Sequence, residues 1–322
     1  MMMKILLLAH KERLTILDRL YESIAARTDC DLRRLSKSEQ ANLRRYFHDN
    51  VDVSRYERIL LFDLSFKRLV RQPLFIRSIP NLVTLEFDVW QNYQPIEYQG
   101  KFSAHFRRLP AIRVLSSGFQ VTKKLLAEGI DATFVPKGCY QDLLHNFGGV
   151  RDIELAFIGT TRADGYQGRR AILEAIKTRE PGLKVLVTKP GNEYCEALNR
   201  IRFFISPDMG MNEYMIKNFE AMACGCVLCA FDQGEEENQV LGFVDMENLV
   251  LFRDVDELIG KLHCLRADPA LADRIGAAGQ ALVEREYNYT RISEIIVEAL
   301  RLPLRPNPVP GRLERLRLAL RL

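Results

Sequence analysis

Residues 212–231, NEYMIKNFEAMACGCVLCAF, decide how this chain is interpreted. The side chain of Asn212 can cap a helix, because its oxygen can accept a hydrogen bond from a backbone N–H of the first turn. Residues 214–223 are mostly helix formers, and Gly225 suits the left-handed conformation in which many helices end. Residues 226–231 are apolar without interruption, which is typical of a strand covered on both faces of a parallel sheet. The stretch therefore predicts a helix, a tight turn and a buried strand of an α/β protein.

Charged side chains lie near the start of this predicted helix. Glu213 falls in the first turn, where a carboxylate suits the positive end of the helix. Lys217 and Glu220 are three residues apart and share one face. A helix N-terminus attracts phosphate, and a carboxylate can accept hydrogen bonds from two ribose hydroxyls. These properties indicate a nucleotide site, and the alternative is an ordinary amphipathic helix packed on a sheet.

The segment NFEAMACGCVL, residues 218–228, resembles the FEAMACG-type segment of group 1 glycosyltransferases, which have the two-domain GT-B fold. It is most similar to their spore-maturation-type branch, in which a basic residue, here Lys217, comes shortly before the Phe-Glu pair. The resemblance implies that Glu220 holds the ribose of a nucleotide-sugar donor. In that superfamily an earlier Glu, with seven residues between, contacts the donor sugar. That spacing falls on Asn212 here, and Glu213 follows it.

The length of 322 residues suits two domains of about 150 residues each. A net charge of +4 is compatible with an anionic ligand or membrane surface and does not require nucleic acid as a partner. No stretch reaches the roughly 18 apolar residues of a spanning helix, and MMMKILLLAH has no signal-peptide cleavage site. We therefore expect a cytoplasmic protein with reduced thiols. Cys224, Cys226 and Cys229 have no second cluster of Cys or His nearby, so we expect no metal site.

Short apolar runs alternate with helical patterns in the N-terminal half, which predicts a parallel α/β sheet. The predicted strands are residues 4–9, 56–63, 81–88, 112–116 and 132–136. Ligands of open α/β sheets bind beyond the carboxyl ends of the strands. The polar residues at such ends are His10, Asp63, Glu86 and Asp88.

The family resemblance implies that this half binds the acceptor, and that it supplies a general base if the reaction inverts the sugar. We select Asp88 as that base and His10 as the second candidate. The alternative for each is a residue that caps a loop or pairs with an arginine. Trp90, Tyr93 and Tyr98 follow in the same region, either to stack on sugars or to pack.

A second phosphate-binding pattern opens the C-terminal half. Residues 153–159 read as a strand that ends in Gly159, where the absence of a side chain lets the backbone approach a ligand. A helix is predicted from about Gln167, and Arg162 and Arg169 lie close to its start. Cations beside a helix N-terminus are suited to phosphate, and the alternative is a set of solvated arginines.

The resemblance extends to this loop, where many group 1 members hold the diphosphate with an Arg just after the glycine and a Lys farther on. Those positions are Thr160 and Gln167 in this chain, so Arg162 and Arg169 are expected to substitute, with support from Lys217. The predicted donor-binding residues are Gly159, Thr160, Arg162, Arg169, Asn212, Glu213, Lys217, Asn218 and Glu220.

The predicted organisation is two Rossmann-like domains facing a cleft, of GT-B type, followed by a distinct tail. Residues 1–148 form the acceptor-side domain and residues 149–300 the domain that binds the nucleotide sugar. Residues 301–322 contain a linker with four prolines and the basic amphipathic segment RLERLRLALRL. That segment is suited to an anionic membrane surface or, equally, to docking on protein.

The expected activity is metal-independent transfer of a sugar from a UDP- or GDP-linked donor, with no cofactor. The acceptor would be a cell-surface glycan or a lipid-linked molecule, in the cytoplasm or at the inner face of the membrane. The Asp254-Val255-Asp256 sequence opens a predicted helix, where acids favour the positive end, so a role without metal is expected for it. Two alternatives remain open: a sugar-nucleotide epimerase of the same fold, and a non-catalytic protein that binds sugar nucleotides.

Overall fold

The computed structural model describes residues 2–11, 16–161, 167–308 and 311–320. The chain divides into two compact units: the first unit is Met1–Val135 with Ser293–Leu322, and the second unit is Pro136–Ile292. The boundary thus falls before residues 136–148 rather than after them. These residues belong to the second unit, and within it the Cys139 N–H donates to the Tyr287 carbonyl (2.9 Å).

The first unit is built on one sheet of six parallel strands in the order β2-β1-β3-β4-β5-β6. The strands are β1 (Lys4–His10), β2 (Asp29–Leu35), β3 (Arg58–Phe62), β4 (Leu82–Glu86), β5 (Arg113–Ser116) and β6 (Asp131–Phe134). Residues 5–9 of β1 are fully buried, as expected for a central strand covered on both faces. The predicted strands are confirmed, each with slightly different ends.

Helices connect these strands and cover the sheet. They are α1 (Ile16–Ala25), α2 (Lys37–Ala41), α3 (Leu43–Asn50), α4 (Phe66–Leu69), α5 (Pro73–Ser78), α6 (Lys101–Arg107) and α7 (Phe119–Ala127). Local sequence sets some of their ends. Ser36 and Glu39, for example, form a reciprocal capping box at the start of α2.

The second unit has a sheet of five parallel strands in the order β11-β10-β9-β7-β8. Its elements are β7 (Ile153–Ile158), α8 (Gln167–Arg179), β8 (Lys184–Leu186), α9 (Asn192–Arg200), β9 (Ile201–Ser206), α10 (Ile216–Ala223), β10 (Val227–Phe231), α11 (Glu235–Leu241), β11 (Val250–Phe252), α12 (Val255–Ala267) and α13 (Pro269–Glu286). Asp254 caps α12 by accepting from the Glu257 N–H (2.8 Å), as expected for an acid at a helix start.

The decisive stretch forms the predicted helix, turn and strand, but the helix begins later than expected. The cap position of α10 is Met215, which makes no side-chain cap hydrogen bond, so the prediction that Asn212 caps this helix is wrong. Asn212 lies in a left-handed turn with a φ of +57°. Tertiary contacts hold the next two residues outside the helix, since Glu213 pairs with Lys137 and Tyr214 bonds Asn238.

From Ser293 onward, the C-terminal segment belongs to the first unit. Helix α14 (Tyr289–Arg301) leads into the proline-rich residues, and helix α15 (Arg312–Leu320) follows. An ion pair between Glu314 and the buried Arg77 holds α15 against α5, and Asn307 Nδ2 donates to the Arg77 carbonyl (2.7 Å). Among the described residues, no helix is both long enough and apolar enough to cross a membrane.

Candidate functional site

The end of β7 meets the start of α10 at Gly159 and Lys217. Gly159 has a φ of +152°, and Lys217 Nζ donates to the carbonyl of Ile158 (2.8 Å). The ammonium also lies 5.1 Å from the centroid of the Phe157 ring. A Cβ atom built on Gly159 would lie only 2.0 Å from Nζ. Glycine is therefore required at this strand end, because a side chain would displace the lysine.

Lys217 is half-buried, and its surroundings lower its affinity for a proton. Burial, helped by the charge of Arg169, lowers the pKa of Lys217 to about 8, while Asp208 and Glu220 oppose the shift. The first turn of α10 has no side-chain cap. A charged ammonium beside uncapped helix N–H groups is an arrangement that attracts an anion.

Arg169, at the start of α8, ties together two loops of the second unit. Its Nε donates to Asp208 Oδ1 (2.8 Å), and a terminal nitrogen donates to the Thr160 carbonyl (3.0 Å). Both partners of this ion pair are 3% exposed, so each charge is compensated inside the protein. In this arrangement Arg169 fixes the loop after β7 and its charge is offset by Asp208. Arg162, which was predicted to act with it, lies outside the described residues.

The Glu220 carboxylate lies on α10, one turn after Lys217, and is 6% exposed. The Tyr194 hydroxyl, from α9, donates to Glu220 Oε2 (2.7 Å). Burial raises the pKa of the Glu220 carboxyl, while the Tyr194 bond and the Lys217 charge oppose the shift. Asn218 Oδ1 is buried without a hydrogen-bond partner among the described residues, so it is an acceptor that a ligand could satisfy.

The two remaining predicted donor residues have different surroundings. Glu213 is buried, and its Oε1 accepts from Lys137 Nζ (2.7 Å), so its charge is compensated. Asn212 is half-buried, and its Nδ2 donates to the Gly210 carbonyl (2.8 Å).

Three residues of this region were not among those predicted from the sequence: Asp208, Tyr194 and Lys137. Asp208 follows a strand directly, so the strand-end rule that selected the acids of the first half could also have found it. Tyr194 and Lys137 carry no such signal. They lie 26 and 76 residues from their carboxylate partners and meet them only through the tertiary fold.

A cavity of about 200 Å³ lies at the carboxyl ends of β3 and β4 in the first unit. Asp63, Glu86 and Asp88 all line it, together with aromatic residues that include Tyr98. Asp63 is buried and has a φ of +49°, a strained backbone conformation that is frequent at functional sites. The structure thus brings the predicted acids together around one opening.

Other predicted residues of the first unit lie elsewhere. His10 ends β1 and is half-buried, and the pairing of Ala9 with Phe62 places it at the same sheet edge as Asp63. It is not among the residues that line the cavity. Trp90 is packed in the interior, and the Tyr93 hydroxyl donates to Glu128 (3.0 Å). Of the three predicted aromatic residues, Tyr98 is the one placed to contact a ligand there.

Comparison with solved structures identifies the fold. HepE of Anabaena, in complex with UDP and glucose, is 14% identical with a TM-score of 0.67, covering 92% of this chain and 99% of that one. Sucrose-phosphate synthase from Thermosynechococcus elongatus is 13% identical with a TM-score of 0.65, covering 93% and 98%. A putative UDP-N-acetylglucosamine 2-epimerase from Listeria monocytogenes is 11% identical with a TM-score of 0.53, covering 94% and 96%.

Comparison of sequences finds a similarity over a smaller part of the chain. No curated protein matches the chain. Residues 167–298, which contain Arg169, Lys217 and Glu220, match a family model described as glycosyl transferase-like. The chain therefore has the GT-B fold, and most of its second unit carries a glycosyl transferase-like sequence.

Proposed function

We propose that this chain is a glycosyltransferase whose second unit holds a nucleotide-sugar donor. One observation carries the proposal: Lys217 Nζ is placed on the Ile158 carbonyl beside Gly159, one helical turn from Glu220, at the carboxyl edge of the sheet. Its hydrogen-bond partner is a neutral carbonyl, and a diphosphate would supply the negative charge that this position favours.

The donor would bind through charge, helix N–H groups and one carboxylate. Lys217 and the first turn of α10 would neutralise the diphosphate and stabilise the nucleotide as it leaves. Glu220, held by Tyr194, would accept hydrogen bonds from the ribose hydroxyls. We infer a UDP-linked donor, because HepE was solved with UDP-glucose, and we keep a GDP-linked donor as the alternative. Cations and helix dipoles suffice for this chemistry, so we propose that it needs no metal.

The acid-lined cavity of the first unit would bind the acceptor. Asp88 would take the proton from an acceptor hydroxyl while that oxygen bonds to the anomeric carbon and the carbon–diphosphate bond breaks. This would be an inverting displacement, the case for which the family resemblance implies a general base. Tyr98 at the cavity wall would stack on a sugar ring of the acceptor.

The acceptor class is proposed by analogy with the family alone. A cell-surface glycan or a lipid-linked molecule at the inner face of the membrane suits the spore-maturation-type branch that the Phe-Glu segment resembles. The exposed Leu313 and Leu316 of α15, beside Arg312 and Arg315, are suited to an anionic membrane surface.

The test combines binding with turnover. Calorimetry with UDP-glucose and GDP-mannose should show saturable binding of one donor class. Release of free nucleotide should then require an added acceptor from a panel of glycans and lipid-linked sugars. Binding of no sugar nucleotide would overturn the proposal. Conversion of the sugar to its epimer without an acceptor would replace it with the epimerase activity, and binding without any turnover would indicate a non-catalytic protein.

A further inference from the structure

A cavity of about 400 Å³ lies in the first unit at the amino ends of the strands. Asp63, Glu86 and Asp88 lie at the opposite, carboxyl ends. The cavity is lined by Arg58 and Leu82, which begin β3 and β4, and it is partly closed by residues 304–307 of the proline-rich segment. Neither the donor site nor the proposed acceptor cavity uses any of these residues.

Three arginines line this cavity: Arg58, Arg77 and Arg305. No Asp or Glu is among its described lining residues. The Arg58 guanidinium donates to backbone carbonyls, including those of Leu300 (2.7 Å) and Leu302 (3.0 Å). Arg305 likewise donates to a backbone carbonyl, that of Gly129 (2.6 Å). Neither forms an ion pair within the described part of the chain, so an anion would find uncompensated positive charge here.

Two further observations concern the charge and the unused hydrogen-bond donors of this cluster. Burial and the charge of Arg113 lower the pKa of Arg58, which means that positive charges are crowded at this edge. Arg77 is 6% exposed, and its Nε is buried without a hydrogen-bond partner among the described residues. A buried guanidinium N–H without a partner costs free energy that a bound oxyanion would recover.

The acidic residues near this cluster do not line the cavity, and each of them binds another group. Glu314 pairs with Arg77 from the side of α15, and Asp131 pairs with Arg113 (3.1 Å). The Glu57 carboxylate accepts from the Lys4 N–H (2.9 Å). The wall itself therefore keeps its positive character.

Apolar surface adjoins the arginines. Ile76, Ile79 and Leu109 contribute to the cavity wall. Leu313 and Leu316 of α15 are 73% and 57% exposed, although Glu314 between them holds the helix to α5. Exposed leucines next to arginines are typical of a helix that lies at a lipid interface.

We propose that this cavity binds the phosphate headgroup of an anionic lipid. Arg58, Arg305 and the Nε of Arg77 would bind the phosphate oxygens, and Leu313 and Leu316 would enter the acyl boundary beside it. The site is separate from the donor site and does not depend on glycosyl transfer. Its function would be to hold the first unit at a membrane surface.

The experiment measures binding of the full chain to phosphatidylcholine vesicles with and without phosphatidylglycerol. The protein should bind the anionic vesicles more tightly. Arg58→Met and Arg305→Met should each weaken that binding roughly fivefold, as expected for one arginine near an anionic surface. Leu313→Ser should also weaken it. Arg44→Met, an exposed arginine on α3 of the same unit, is the matched control and should have no effect.

Three outcomes would overturn the proposal. If Arg44→Met weakens vesicle binding as much as the cavity variants do, the binding is a diffuse electrostatic attraction of the protein surface to the membrane and not a specific site. A rise in melting temperature with glycerol phosphate or inorganic phosphate, lost in Arg305→Met but without vesicle binding, would mean that the site takes a soluble phosphate. Binding by none of these probes would mean no phosphate site. UDP-glucose affinity should be unchanged in every variant, so failure here is distinguishable from failure of the donor site.

Discussion

The two units use charge differently at the carboxyl ends of their strands. In the second unit the charged groups are paired inside the protein: Arg169 with Asp208, and Lys137 with Glu213. Lys217 differs, because its hydrogen bond goes to a neutral carbonyl. The paired groups compensate each other, and under the proposed function the lysine would meet an anionic ligand.

In the first unit, acids are gathered rather than separated. Asp63, Glu86 and Asp88 line one cavity, together with one cation, Lys67. Such a cluster is suited to proton transfer and not to phosphate. One fold is thus used twice with different charges at its strand ends, and under the proposed function the cation would serve the donor and the acids the acceptor.

The strongest test of this division is Asp88→Asn. If Asp88 is the general base, kcat should fall roughly 100- to 10,000-fold, because an amide cannot take the proton. Donor affinity should be unchanged, since the proposed donor site lies in the other unit. Steady-state kinetics with calorimetry checks both expectations. Glu97→Gln, an exposed acid that pairs with Lys67, is the control and should retain activity. Normal turnover by the Asp88 variant would remove Asp88 as the base.

The next largest effect is expected for Glu220→Gln in the donor unit. The amide should weaken binding of the nucleotide sugar roughly 10- to 100-fold, because hydrogen bonds to a charged acceptor contribute about 1.5–3 kcal/mol. Calorimetry measures the change, and the exposed Glu247→Gln serves as control. An unaltered dissociation constant would show that the carboxylate does not contact the ligand.

These two positions also show how far sequence alone reaches. Strand ends were predictable from apolar runs, so Asp88 could be placed at a sheet edge before its surroundings were known. Glu220 and Lys217 could be selected because local spacing on a helix decides which side chains share a face. Each of these inferences depends only on residues close together in the chain.

Features that depend on distant partners could not be predicted. Asn212 has the side chain of a helix cap, yet Glu213 is drawn to Lys137, 76 residues away, and the helix begins later. Arg169 was predicted to bind phosphate. Its pairing with Asp208 could not be predicted from the sequence, because the loop after β9 and the start of α8 meet only in the folded unit. Side-chain pairing across elements overrides local preference in both cases.

A smaller effect, with a pH dependence, is expected for Lys217→Met. Loss of the ammonium should weaken UDP-glucose binding roughly tenfold near neutral pH. A bound diphosphate favours the charged lysine and so raises its pKa above the value of about 8 in the free protein. The affinity for UDP-glucose should therefore have its full value below about pH 8. It should fall as the pH rises beyond that value, by at most about tenfold per pH unit.

Calorimetry between about pH 7 and 9 tests this dependence, which the Lys217→Met variant should lack. The exposed Lys177→Met, on α8 of the same unit, should keep it. Gly159→Ala gives an independent check, since the new methyl group would occupy the position of Nζ and displace the lysine without removing its charge. A wild-type affinity that does not change with pH would show that Lys217 does not bind the diphosphate.

The smallest effect is expected for Tyr194→Phe, which tests whether the Tyr194 hydrogen bond alters the proton affinity of Glu220. Loss of one hydrogen bond should weaken donor binding roughly fivefold. The Tyr194 bond lowers the pKa of a carboxyl that burial raises, so its removal should raise that pKa further. Affinity requires the ionised carboxylate and is lost as pH falls, so the loss should begin at a higher pH in the variant. A uniform weakening at every pH would instead mean that Tyr194 only packs beside the site, because loss of packing does not alter the proton affinity of Glu220.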